Sequence, residues 1–269
     1  MKKYLKLALD LLLGAVAPVV ILKYGTAPLG TLPAYLLAAL VPVAWVLLDL
    51  FVITRHFNFI SSYSGLSAIM RGALAFWYVS GALFALKDTA SYVVAVLVFG
   101  GSAFFMRPVT RGIAFQGLAP DTPERERALD RILDEPAVRV TLRNAALIIG
   151  ATNLLAGIAN YIINLKIVVA PFNTPAFNDQ VANVNAITRV ALALPDMLAV
   201  FWAFSLMYKA MYALLPADDG TDATAGDFWE LLDAREKTIV SAPPTTGVEA
   251  NEVSVQARAN RQAREEFGI

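Results

Sequence analysis

The chain has 269 residues, of which 57% are hydrophobic and only 16% are charged, and its mean hydropathy is +0.57. A soluble domain carries about 25% charged residues, so this composition indicates a membrane protein. The 22 basic residues are balanced by 22 acidic ones, which excludes a nucleic-acid binder, and the lack of cysteine together with the single His56 excludes thiolate chemistry and multi-histidine metal sites.

Six apolar runs have roughly the 17 to 25 residues that a helix needs to cross a bilayer. We therefore predict an all-α bundle of six transmembrane helices. The fourth run is short and contains a Gly-Gly pair, so a tilted, kinked or re-entrant segment stays an alternative there. The six runs are Leu5 to Leu22, Leu32 to Ile53, Leu66 to Leu86, Ser91 to Met106, Ala145 to Leu165 and Val190 to Leu215.

The basic residues indicate how the helices are oriented. If all six runs cross, most of the 22 Lys and Arg residues fall on the side that holds both termini, which predicts cytoplasmic N and C termini. The first run also resembles a secretory signal ending near Ala17. Asp10 interrupts it and Pro18 would follow the cut, so we favour an uncleaved first helix.

Two segments outside the membrane divide the chain further. Residues 1–215 are predicted to form the transmembrane domain, with a cytoplasmic helical loop at about 107–144 that contains a helix from Glu124 to Asp134. Residues 216–269 are predicted to be an acidic, partly disordered cytoplasmic tail, since acids outnumber bases there by eleven to five. A short amphipathic helix is expected around Phe228 to Leu232. The tail is either a docking element for a protein partner or a solvated end.

Charged side chains inside a bilayer are costly and are therefore candidates for function. Asp10, Asp49 and Arg71 are predicted to share one depth near the cytoplasmic side. They are expected to fasten the first three helices as an ion-pair network, with a proton or ion relay as the alternative. Arg71 and Tyr78 also recur on one face of the predicted third helix, which faces either the bundle interior or a wet cavity.

Two further sets of polar residues lie in the last two predicted spans. Asn153, Asn160 and Asn164 align on one face, where their amides either hydrogen-bond across helices or line a polar substrate path. Arg189 and Asp196 lie two turns apart, near the predicted outer end of the sixth span. The proline before Asp196 frees a backbone carbonyl, which fits either an ordinary kinked helix or a cation site.

Four short segments carry a resemblance to a known family. They are Ser80 to Ala90, placed on the turn between the third and fourth helices, Arg107 to Thr110, Gly14 to Pro18, and Leu40 to Pro42. Together they resemble bacterial polytopic inner-membrane proteins distantly similar to intracellular septation protein A. The resemblance covers roughly residues 5 to 112. It implies an inner-membrane location and a part in envelope synthesis or division, and it implies no catalytic residue.

Enzyme motifs for phosphate, dinucleotide, zinc or nucleophile chemistry are absent from the sequence, so we expect no enzymatic activity, no cofactor and no metal. The leading hypothesis is a membrane scaffold or a septation-associated component that recruits a protein partner through the cytoplasmic loop or tail. A small-solute or ion-coupled transporter is the alternative, and a lipid-modifying enzyme ranks third. Homo-oligomerisation stays open. A wet cavity reaching Arg71 or Asn160 would favour transport, and a dry bundle would favour the scaffold.

Overall fold

The computed structural model describes residues 8–10, 12–54, 59–105, 108–216 and 228–241, and their regular structure is entirely helical. The all-α prediction is therefore confirmed for this part of the chain. In chain order the helices are α1 Ala8–Leu29, α2 Thr31–Ile53, α3 Phe59–Ala75, α4 Gly81–Gly100, α5 Val109–Leu118, α6 Pro123–Leu133, α7 Pro136–Ile167, α8 Pro175–Ala191, α9 Ala193–Tyr212 and α10 Phe228–Ser241.

Five helical segments within the described residues are long and apolar enough to cross a membrane: α1, α2, α4, α7, and α8 continued by α9. Their outer surfaces carry large exposed apolar side chains; Phe201, for example, is 76% exposed. Such surfaces suit contact with lipid, because a soluble protein rarely exposes a large contiguous apolar area. The chain is thus an integral multi-pass membrane protein, whereas the number of six spans and the cytoplasmic termini stay predictions.

The predicted third span, Leu66 to Leu86, is not one continuous helix. Helix α3 ends at Ala75, and α4 begins at Gly81, whose φ of 60° lies in the left-handed region that favours glycine. Lys87 and Asp88 therefore lie inside α4, and the prediction that they form a turn ending a helix is wrong. The break was missed because the run is apolar on both sides of it, so hydropathy does not mark where the helix is interrupted.

Glycines allow the helices to approach closely. A Cβ placed on Gly65 would lie 3.0 Å from a Leu50 methyl, and one on Gly72 would lie 3.3 Å from a Val43 methyl, so α3 runs antiparallel to α2. Helix α7 packs against both α4 and α9. A Cβ on its Gly150 would lie 2.8 Å from the backbone nitrogen of Gly100. The two backbones therefore touch where α7 crosses α4.

A small helical layer covers one end of the bundle; we call α5, α6 and α10 together the cap. The predicted helix Glu124 to Asp134 is observed as α6, and the Thr122 hydroxyl accepts a hydrogen bond from the Arg125 backbone N–H at 3.3 Å. Pro136 starts α7, so this helix begins nine residues before the predicted fifth span. The core of the cap is formed by fully buried apolar side chains, among them Leu129, Ile132, Leu133, Leu142, Met211 and Leu232.

Helix α10, from the predicted acidic tail, packs against α6 of its own chain. Leu232 is fully buried, and Arg125 lies between the Asp233 carboxylate at 3.0 Å and the Trp229 ring at 5.3 Å. The hydrogen bond that Arg125 donates to the Asp233 carboxylate raises the pKa of Arg125, so the guanidinium stays charged. A second ion pair joins Arg235 to Glu135 at 2.7 Å.

Candidate intramembrane polar site

A cavity of about 150 Å³ lies among α1, α2, α3, α4 and α8. We call it the polar cavity, because charged and polar side chains from four of these helices line it beside apolar walls. Roughly 10 to 15 Å³ measured in this way holds one water, so the space suits about ten waters or a small solute. The polar lining residues are Tyr35, Arg71, Lys87, Asp88, Asn185 and Arg189.

The polar cavity extends along the bundle from the end opposite the cap toward its middle. On α2 the lining runs from Tyr35 to Val46, a rise of about 16 Å. Arg189 lies fourteen residues after the start of α8, or about 21 Å along its axis. Arg71 is one residue from Gly72, which packs against Val43. Both arginines therefore lie well inside the membrane-spanning length.

Lys87 connects the cavity to the turn between α3 and α4. Its Nζ donates a hydrogen bond of 2.6 Å to the Trp77 carbonyl, in the segment between α3 and α4. The same nitrogen lies 5.1 Å from the centre of the Tyr35 ring and 5.6 Å from that of Phe84, within range of cation–π attraction. Lys87 is only 7% exposed. The side chain thus binds a carbonyl that the helix break leaves without its helical partner.

The two arginines carry fixed positive charge and few protein contacts. Arg71 Nε donates to the carbonyl of Ser67 on its own helix at 3.4 Å, and Arg189 donates to the carbonyl of Gly14. Within the described part of the chain, neither guanidinium forms an ion pair with a carboxylate. A charge at the centre of a spanning helix costs about 2.5 to 3.5 kcal/mol on insertion scales, and the polar cavity supplies the compensating environment.

Asp88 is the one carboxylate among the described lining residues, and it is held by α7. Its Oδ2 accepts hydrogen bonds from the side-chain amides of Asn160 at 3.1 Å and Asn164 at 2.9 Å. Both asparagines are almost fully buried. The predicted amide face of α7 therefore contacts α4 through Asp88, and the third amide, Asn153, donates to Asp196 of α9 at 3.3 Å.

The other predicted site residues lie apart from the cavity. Asp10 accepts a hydrogen bond of 2.8 Å from the Trp45 indole, which joins α1 to α2. Asp49 starts a π-helical turn at the end of α2 and does not line the cavity. Arg71 forms no ion pair with Asp10 or Asp49, so the predicted ion-pair network through Arg71 is not observed among the described residues, and the proton or ion relay stays a prediction.

Two predicted alignments are wrong, each for a structural reason. Tyr78 lies beyond the end of α3 and stacks on Phe172 with ring centres 5.2 Å apart, so it shares no helix face with Arg71. Arg189 and Asp196 do not lie at the end of a span, because that span begins at Pro175. They are separated by the break at Leu192, and Asp196 does not line the polar cavity.

Sequence reasoning missed Lys87 and Asp88 as site residues, because it placed them in a turn. One signal was present in the sequence. Residues 81–100 have glycine only at their two ends and are twenty residues long, which is enough to span a membrane. A single helix over these residues would contain Lys87 and Asp88.

Comparison with known proteins adds no relationship: no protein-family model, no curated protein and no solved structure matches this chain. The similarity to septation protein A therefore stays a prediction.

Proposed function

We propose that this protein is a non-enzymatic membrane transporter that moves a small solute through the polar cavity. The observation that carries the proposal is that Arg71, Lys87 and Arg189 converge on one cavity within the spanning helices. Charges at this depth are typical of substrate or ion pathways. A bundle built only as a scaffold has no physical need for them.

Helix α3 completes the bundle around the cavity. Its 17 residues cover about 25 Å, and the five residues between α3 and α4 add to this length, which suits a sixth crossing. Six crossings with both termini in the cytoplasm of a bacterial inner membrane permit a transporter arrangement.

A scaffold or septation-associated component is the second candidate. Its expected recruiting element was the acidic tail, but α10 packs against α6 of the same chain, where Leu232 is fully buried. This contact occupies the apolar face that a partner would have used. The observation weakens the scaffold hypothesis for α10, and we rank transport first.

Uptake into proteoliposomes tests the proposal. The assay measures entry of labelled acetate, succinate, phosphate, glycine, glucose and rubidium, each with and without the protein. Ala39 lines the cavity, and Ala39→Phe is expected to abolish protein-dependent uptake by filling it. The control Ala151→Phe adds the same ring on an exposed face of α7 and is expected to leave uptake unchanged. Equal uptake by both folded variants would refute a route through this cavity.

A further inference from the structure

We infer that the solute held in the polar cavity is a small anion, with carboxylate or phosphate chemistry and up to two negative charges. This inference rests on the proposed function and names its substrate class. Among the residues that the structure describes, three cationic side chains and one carboxylate line the cavity, so two positive charges are in excess. Inside a membrane such an excess favours an anionic ligand, because solvent screening is weak there.

The carboxylate of Asp88 acts on the arginines only from a distance. Two asparagine amides of α7 already bind one of its oxygens, and the described residues show no ion pair between it and either arginine. The guanidinium groups of Arg71 and Arg189 therefore keep most of their N–H donors unbound in the described part of the chain. Arginine donors match the two oxygens of a carboxylate or phosphate in a bidentate geometry.

The Lys87 ammonium argues against a cation as the ligand. Its Nζ lines the cavity and binds the Trp77 carbonyl at the turn between α3 and α4, so a fixed positive charge already occupies the carbonyl oxygen that a cation could use there. Asn185 adds an amide to the cavity wall that has no hydrogen-bond partner among the described residues, and amide N–H groups donate to anions.

The size of the cavity suits a small anion. A cavity of about 150 Å³ accommodates phosphate, acetate or succinate. The rings of Tyr35 and Phe84 form part of the wall beside Lys87, so a short apolar portion of an organic acid has a surface to contact.

Binding is measured on the full chain purified in a neutral detergent, by thermal unfolding and calorimetric titration with sodium phosphate and sodium succinate at constant ionic strength in HEPES. Saturable binding and a raised unfolding temperature are expected. Arg71→Gln and Arg189→Gln should each weaken binding about tenfold or more, as expected for loss of a charge-assisted contact. Arg71→Lys, which keeps the charge, should weaken it less. The control Arg143→Gln removes an exposed arginine of α7 away from the cavity and should bind as the wild type does.

Uptake assays and stability measurements in lipid nanodiscs, carried out alongside the titrations, distinguish a transported anion, a bound anion and a lipid headgroup. Uptake of glycine, glucose or rubidium without anion binding would leave the transporter proposal intact and overturn the anion. Saturable anion binding without uptake of any solute would support the anion site and overturn transport. Stabilisation by phosphatidylglycerol nanodiscs over phosphatidylcholine nanodiscs, lost in Arg71→Gln and with no response to phosphate or succinate, would assign the site to a lipid headgroup and overturn a soluble substrate.

Discussion

Replacing Gly150 by alanine is expected to destabilise the contact between α4 and α7. The new Cβ would lie 2.8 Å from the nitrogen and 2.9 Å from the Cα of Gly100. Ordinary carbon contacts need about 3.5 to 4.0 Å, so the helices must move apart by roughly 0.6 to 1 Å. Both atoms of Gly100 belong to backbone, so no side-chain rotation can relieve the overlap.

The expected cost follows from this separation. Overpacking of a well-packed contact typically costs about 1 to 3 kcal/mol. When two surfaces move apart by about 0.5 to 1 Å, each nearby van der Waals contact also loses a quarter to a half of its attractive energy. The hydrogen bonds from Asn160 and Asn164 to Asp88 cross the same pair of helices and would lengthen as well. We therefore expect Gly150→Ala to lower the free energy of unfolding by about 1 to 3 kcal/mol.

Thermal unfolding in detergent, followed by tryptophan fluorescence, measures this effect. Gly112→Ala is a matched control, since it makes the same change inside helix α5 at a position with nothing within 4 Å of the new Cβ. Helix propensity alone should make the control more stable, by up to about 1 kcal/mol. If Gly150→Ala is as stable as the wild type or the control, the backbone contact does not exist as described.

Three further predictions concern other contacts. Leu232→Ala should detach α10 from the cap, because deleting a fully buried leucine costs about 2 to 5 kcal/mol, and limited proteolysis would then cleave within the helix. Asn164→Leu should lower thermal stability by about 1 to 3 kcal/mol, because Asp88 would lose a buried donor. Trp45→Phe should cost about 1 kcal/mol by removing the hydrogen bond to Asp10, and the unfolding temperature would report it.

Each of these predictions has a control and an opposing result. Lys237→Ala changes an exposed residue of α10 and should leave proteolysis unchanged, so equal cleavage of both tail variants would contradict the packing of Leu232. Asn144→Leu makes the same change at an exposed asparagine of α7. An equal loss of stability there would contradict the idea that the loss in Asn164→Leu comes from the hydrogen bond to Asp88. An unchanged unfolding temperature in Trp45→Phe would mean that the indole bond contributes nothing.

Much of the helical architecture could be predicted from local pattern. Thr122 and Pro123 mark the start of α6 through capping and proline preference, and the structure has this helix almost where it was expected. The apolar runs from Leu32 to Ile53 and from Ala145 to Leu165 also correspond to observed helices. These predictions succeed because capping and hydropathy depend on residues close together in the chain.

The candidate site could be predicted only in part. The sequence singled out Arg71 and Arg189 because a charge inside a spanning helix is costly wherever that helix packs. It did not reveal that they share a cavity, since they come from helices more than one hundred residues apart. Lys87 was missed for a related reason: the break before α4 is held by its bond to the Trp77 carbonyl, which forms only when the two segments pack together.

The sequence by itself determined that lipid surrounds most of the chain and that the chain is helical, because both follow from hydropathy and backbone preferences of residues close together in the chain. Only the tertiary structure decided that α10 folds back onto α6, that Asp88 binds the amides of α7, and that two arginines remain without a carboxylate partner in the described residues. These features depend on contacts between distant segments. The net charge of a cavity depends on which helices pack around it, so it cannot be read from any single helix.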